Sequence, residues 1–303
     1  MKYRLVASVV VVVAAVSAGR TTAQDQDLSK VEIKTEALAP GVYVMIGAGG
    51  NIGLSVGEDA AFIIDDQFAP LTDKILAAIK TLTDKPVRFV INTHWHGDHT
   101  GGNENLGKAG AVIIAHDNAR KRMTVEQFNR DLNWKTPPSP KGALPIVTFA
   151  ESVTLHLNGD TVHVTHVPPA HTDGDSIVHF ANANVVHMGD LFFSEMYPFI
   201  DRGSGGTLDG VIGAADKALS MANEATKIIP GHGSLATKAD LKAYRDMLFA
   251  IRDRVSTLIK EGKSLSDVQA AQPTKEYDAK WGGGFQKPDQ FVALVYSTLK
   301  NED

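Results

Sequence analysis

The segment VRFVINTHWHGDHTGG, residues 87–102, constrains this chain more than any other part of it. An apolar, strand-like run ends in four groups that can each offer a lone pair to a cation: His94, His96, Asp98 and His99. In extended backbone, His94, His96 and Asp98 alternate onto one face, and a tight turn at Gly97 can aim His99 at the same point. The fold must therefore end a buried strand at a polar centre. A single His-x-His pair is usually a solvated turn. Four metal-competent groups in six residues, directly after FVIN, are not. Imidazole and carboxylate are good zinc ligands, and three protein ligands leave a position open to water. Two such sites about 3.5–4 Å apart can clamp a reacting oxygen.

Three later residues have the same character. His171 sits in PPAHTDGDS between strand-like runs, Asp190 ends VVHMGD, and His232 ends IIPGHG. Each lies at a strand terminus, where loops carry chemistry on a rigid scaffold. The chain has no cysteine, so disulfides and thiolate sites are excluded. Nitrogen and oxygen donors favour zinc, manganese or iron.

The strand-like runs come in groups: GVYVMI, NIGLSV and AFIIDD, then VRFVIN and AVIIA, then SVTLHL, VHVTHV, SIVHF and NVVHMGD, then TKII. Apolar spacing predicts helices near 71–81, 118–133, 209–223, 239–261, 265–271 and 288–299. Residues 134–145, with four prolines, read as a loop. This order fits two packed sheets with helices outside better than a doubly wound parallel sheet. The glycine-rich GAGGNIG lies between two strands and reads as a hairpin, not a phosphate cradle.

The first residues read as a targeting segment. Lys2 and Arg4 precede an apolar run from Leu5 to Val16, and small residues follow, with cleavage expected after Ala18 or Ala23. This predicts a secretory signal peptide over 1–23, a single domain over 24–303 with a helical C-terminal extension, and a periplasmic or secreted protein. An uncleaved anchor is the alternative. No second long apolar stretch exists, so no stable membrane association is expected after cleavage. The formal net charge is −5 and no basic run is present. Nucleic acid, which needs clustered Lys and Arg, is therefore not an expected partner; a small-molecule substrate is.

HWHGDHTGG resembles the H-x-H-x-D-H signature of the metallo-β-lactamase superfamily, and His171, Asp190 and His232 follow in that family's order. The resemblance runs from GVYVM to PGHG and the following helix. It implies a four-layer αβ/βα sandwich of two mixed β-sheets flanked by helices. It also implies two zinc ions per chain, one on His94, His96 and His171, the other on Asp98, His99 and His232, with Asp190 bridging. A water activated between the metals would attack an acyl carbon, and Asp98 would orient it and accept its proton. Asp65, at the end of FIIDD, is expected behind the histidines as an orienting carboxylate, with Asp66 competing for that role. Tyr197 and Arg202 are candidates for a substrate carboxylate or for developing negative charge, or else belong to a solvated loop. His116, His156, His163, His166, His179 and His187 are expected to be structural or surface residues. Trp95 is expected to point into packing, and Asp173 and Asp175 to be solvated turn residues. Residues 134–145 are the candidate substrate loop. Trp281 and Phe285 are expected to pack in the core rather than border a pocket.

The expected activity is metal-dependent hydrolysis of a C–N, C–O or C–S acyl bond, β-lactamase-like. Lactonase and thioesterase activity are the alternatives. An iron-dependent oxidoreductase and a non-catalytic periplasmic metal-binding protein are the remoter ones. No cysteine is available as a second-metal ligand, and residues 191–202 contain no lysine for a β-lactam carboxylate.

Overall fold

The computed structural model describes residues 27–129 and 133–300; the expected signal segment lies outside them. The first sheet contains β1 (Lys34–Ala39), β2 (Val42–Ile46), β3 (Ile52–Val56), β4 (Ala61–Ile64), β5 (Val87–Ile91), β6 (Val112–His116) and β9 (Val147–Phe149). They lie side by side in that order: antiparallel from β1 to β4, parallel from β4 through β5 and β6 to β9. The second sheet contains β10 (Ser152–Leu157), β11 (Asp160–His166), β12 (Ser176–Phe180), β13 (Val185–His187) and β14 (Lys227–Ile229), antiparallel except for the parallel β13–β14 pair.

Both faces of the central strands are buried, which is why they read as continuous apolar runs. In β4, Phe62 and Ile64 point into the layer between the sheets, where they meet Val178 and Phe180 of β12. Phe62 and Phe180 stack across that layer at 6.0 Å. Ala61 and Ile63 point outward, onto Ile75 and Ile79 of α1 (Thr72–Lys80) and Leu106 of α3 (Asn103–Lys108). On the far side, Ile177, Val186 and Ile228 meet α5 (Leu208–Met221), α6 (Lys238–Lys260) and α9 (Pro288–Lys300). This alternation yields four layers, helix–sheet–sheet–helix, as expected. Thr237 and Asp240 close a capping box at the start of α6.

Two expectations fail locally. The helix expected over 118–133 stops at α4 (Asp117–Met123), and residues 134–136, expected as loop, form a strand. Gln127–Asn129 (β7) and Trp134–Thr136 (β8) make an antiparallel hairpin. Polar residues with helical spacing misled the reading, because propensity is weak where packing does not decide. The strands β1 and β9 were also not anticipated; β1 lies at an edge and is largely exposed. Among the described residues, no helix is long and apolar enough to cross a membrane.

Because Phe180 has no accessible surface and fills the space between the sheets, Phe180→Ala should lower unfolding stability by about 3–5 kcal/mol. A denaturant titration checks this; a loss under about 1 kcal/mol would mean that the layer is not close-packed there.

Candidate metal centre

Parallel pairing puts the carboxyl ends of β4 and β5 on one edge of the first sheet, and those of β13 and β14 on the matching edge of the second. The β11–β12 loop falls on the same edge. Those ends carry Asp65, His94 and His96, Asp190 and His232, and the loop carries His171. Asp98 and His99 lie on α2 (Gly97–Thr100), one turn beyond β5.

Two donor sets result: His94, His96, His171 and Asp190, and Asp98, His99 and His232. Nδ1 of His96 lies 2.9 Å from Nε2 of His171. Asp190 joins the sets. Its Oδ2 lies 3.4 Å from Nε2 of His171 and 3.9 Å from Nε2 of His94. Its Oδ1 lies 3.1 Å from Nε2 of His99 and 3.4 Å from Nε2 of His232. Oδ2 of Asp98 lies 3.3 Å from Nε2 of His232 and 3.7 Å from Nε2 of His99. Every candidate ligand read from the sequence is therefore present at one place.

The far ring nitrogens are held by protein, which fixes which nitrogen faces the centre. Nδ1 of His99 pairs with Oδ2 of Asp65 at 2.8 Å. Asp65 also accepts from the backbone N–H and the hydroxyl of Thr93. These three bonds hold Asp65 in the left-handed region, φ 62°, which costs a non-glycine residue about 1–2 kcal/mol. Asp65, not Asp66, is thus the orienting carboxylate. Asp66 instead accepts from the N–H of Gly102. Nδ1 of His94 faces the Thr93 hydroxyl at 3.0 Å, and Nδ1 of His171 faces the carbonyl of Phe199 at 2.8 Å.

Six supporting residues were not foreseen in these roles. Asp201 Oδ2 lies 3.0 Å from Nε2 of His96 and accepts from the Ser204 hydroxyl at 2.6 Å. Ser204 in turn accepts from the Trp95 indole N–H, and Asn129 donates to the other Asp201 oxygen. Asp175, expected to be solvated, is buried and accepts from the N–H groups of His171 and Thr172. Thr93 bridges Asp65 and His94. Asn51 donates to the carbonyls of Pro230 and Gly233 and so ties β3 to the loop carrying His232. A buried carboxylate close behind His171 was the readable signal for Asp175; Asp201 lies 105 residues from His96 and left none.

Glycine is required where this scaffold closes on the centre. A Cβ on Gly50 would collide with the His99 ring, and one on Gly231 with Oδ1 of Asp190. GAGGNIG is thus a hairpin turn whose glycines let it approach the site.

Electrostatics separate the two sets. Burial pushes His94 well below the ordinary histidine range and His171 down to about 4, so both stay neutral with a free lone pair. Burial opposes charge on His232 as well, but Asp190 and Asp98 raise it to about 10. His99 is raised by Asp190, Asp98 and Asp65 against burial. Burial also resists ionisation of Asp201, yet the bond from His96 holds it at about 2. The carboxylates thus draw positive charge into the centre. His94 Nε2 is buried without a hydrogen-bond partner, and such an atom is costly unless a ligand takes it up. A cation fits the donor set on both counts.

Other candidates are structural. Tyr197 is buried, donates to Asp278 and stacks on Phe291; it cannot meet a substrate, and the expectation for it is corrected. Arg202 opens the 202–204 turn that follows Asp201. His187 bonds the Asn51 carbonyl and the N–H of Gly189. His116 bonds Ala150 and stacks on His166. His163 and His179 pair across β11 and β12, and His156 lies on β10. Asp173 pairs with Arg122. Trp95 packs among Ala115, Ala119 and Met123, as expected.

The profile of the metallo-beta-lactamase superfamily matches residues 46–232, more than half of the chain, and the chain belongs to that superfamily. A beta-lactamase-like protein 2 homolog of Caenorhabditis elegans is 22% identical over 202 residues, 66% of this chain and 60% of that one. A hydroxyacylglutathione hydrolase of Pelagibacter ubique is 28% identical over 160 residues, 51% of this chain and 56% of that one. The chain thus matches less than two thirds of the length of either curated relative. Among solved structures, a metallo-beta-lactamase from Pontibacter korlensis aligns with TM-score 0.58 at 19% identity, covering 72% of this chain and 99% of that one. A sec-alkylsulfatase from Pseudomonas sp. aligns with TM-score 0.66 at 18% identity, covering 88% and 50%. The fold is the metallo-β-lactamase fold.

Asp201→Asn keeps the size of the side chain but removes the charge that holds His96. It should weaken divalent-metal binding by the first donor set about 10–100-fold, as read by competition with a chromogenic chelator. Unchanged affinity would show that His96 needs no such support.

Proposed function

We propose that this protein is an exported, dinuclear zinc-dependent hydrolase that cleaves an acyl C–N, C–O or C–S bond of a small molecule. One observation carries the reading: the two oxygens of Asp190 face different histidine sets, as a bridging carboxylate requires. His94, His96 and His171 would hold the first ion, Asp98, His99 and His232 the second, with Asp190 shared. Two ions so held would polarise a substrate carbonyl and lower the pKa of water towards neutrality.

The chain's own residues do the remaining work. His99 and His232 hold the carboxyl of Asp98 below the usual carboxylate range against its burial, so it is ionised at neutral pH. Its side chain is still 28% exposed, and it can orient a water at the mouth and accept a proton from it. Asp65, Asp201 and the Phe199 carbonyl fix the rings of His99, His96 and His171, so that little reorganisation accompanies the reaction.

Lactone or thioester hydrolysis is the second reading within this class. It is favoured by aspartate rather than cysteine at 190 and by the hydroxyacylglutathione hydrolases among the relatives. The signal-like N-terminus supports a reaction outside the cytoplasm, and the net charge of −5 without a basic run supports a small molecule rather than nucleic acid as partner.

The test is a panel of a chromogenic cephalosporin, several lactones and a thioester, on zinc-loaded protein with and without EDTA. At least one substrate should be turned over in a chelator-sensitive way, and Asp98→Ala should lower kcat/KM on the order of 10²–10⁴-fold. Turnover that survives EDTA, or full activity in Asp98→Ala, would contradict the hydrolase reading. No turnover of any panel substrate, together with redox-active iron in protein purified without added metal, would favour the oxidoreductase alternative.

A further inference from the structure

An apolar surface begins at the first donor set and continues outward. The Phe199 ring lies 6.3 Å from that of His96 and 6.0 Å from that of His171. Phe285 meets Phe199 edge to face at 6.1 Å and is itself 63% exposed. Its place is built. The N–H of Tyr197 donates to the carbonyl of Trp281, and Gly284 lies so close to Met196 that a Cβ there would collide with its side chain. The turn after α8 (Asp278–Trp281) is thereby pressed onto the loop before Phe199. Phe285 was expected in the core; it stands instead on the solvent side of Phe199.

A second exposed aromatic residue stands on a hairpin that is tied to the same ligand through Asp201. The β7–β8 hairpin is fixed to the 201–204 turn: Asn129 donates to Asp201, which holds His96, and Arg122 donates to the carbonyl of Gly203 and to Gln127. Asn129 is paired directly with Trp134, and Phe128 with Lys135. Directly paired residues share a face of the sheet. Trp134 therefore lies on the face from which Asn129 reaches Asp201, while Phe128 and Lys135 lie on the other. Trp134 is 45% exposed.

We infer that Phe285, on Phe199, and Trp134 are specificity-determining residues that form an apolar subsite on the His96 side of the centre, and that the substrate is an acyl compound with a bulky apolar substituent. This rests on the hydrolase reading above. An isolated exposed apolar residue is ordinary; here Phe285 meets Phe199 directly, and the strand neighbour of Trp134, Asn129, bonds Asp201 on the same loop. A medium-length alkyl chain or an aromatic ring on the substrate would cover both. A short or charged substituent would cover neither.

Two measurements on zinc-loaded protein test this together: hydrolysis of p-nitrophenyl esters from acetyl to octanoyl, and calorimetric binding of acetyl and octanoyl hydroxamates. Each fully buried methylene contributes about fourfold. The octanoyl-to-acetyl ratio of kcat/KM should therefore be on the order of 100 with partial burial, and the hydroxamate affinities should follow the same order. Phe285→Ala and Trp134→Ala should each reduce these ratios about tenfold, while Phe249→Ala, an exposed phenylalanine on α6, should not. A flat series, or ratios preserved in both variants, overturns the subsite. Chain-length-dependent hydroxamate binding without any ester turnover supports the subsite and counts against the hydrolase reading; turnover with a flat series does the reverse.

Discussion

Five imidazoles and two carboxylates meet at one desolvated sheet edge, and the rest of the structure is organised around keeping them compatible. Like groups so close would repel or lose their charge if each were left alone. The arrangement avoids this by pairing four of the five histidines on their outer side: His99 with Asp65, His96 with Asp201, His94 with Thr93, His171 with the Phe199 carbonyl. With the outer nitrogens committed, the inner ones converge around Asp190. The neutral pair His94 and His171 and the charge-attracting pair His99 and His232 then lie on opposite oxygens of a single carboxylate.

That convergence depends on the sheets. Parallel pairing of β4 with β5, and of β13 with β14, brings four strand ends to one edge, and the Phe62–Phe180 layer locks the two sheets together behind it. Asn51 then fastens the first sheet to the His232 loop of the second. The close approach this demands explains the glycines at 50 and 231, where any side chain would strike a ligand.

Much of this was legible in the sequence, for a physical reason. His94, His96, Asp98 and His99 are neighbours in the chain, and His171, Asp190 and His232 each follow an apolar strand. Their placement thus follows from alternation and strand ends. Asp65 also ends a strand, but its orienting role was expected from the family resemblance, with Asp66 competing for it. Asp201 was not readable, because its partner is distant in sequence and its turn has no periodic pattern. The β7–β8 hairpin was misread as helix because its residues are polar and its order comes from tertiary contacts with the 201–204 turn. Tyr197 was a candidate for substrate contact, or else for a solvated loop, because it follows Asp190 closely; burial against Phe291 and Asp278 removes both readings.

The central claim is that two ions share Asp190. Zinc content of the purified, zinc-reconstituted protein, combined with zinc-edge X-ray absorption, tests it most directly. Two equivalents per chain with a metal–metal vector of about 3.5–4 Å are expected. One equivalent at saturating zinc, or two without a short metal–metal vector, would contradict the bridging role of Asp190.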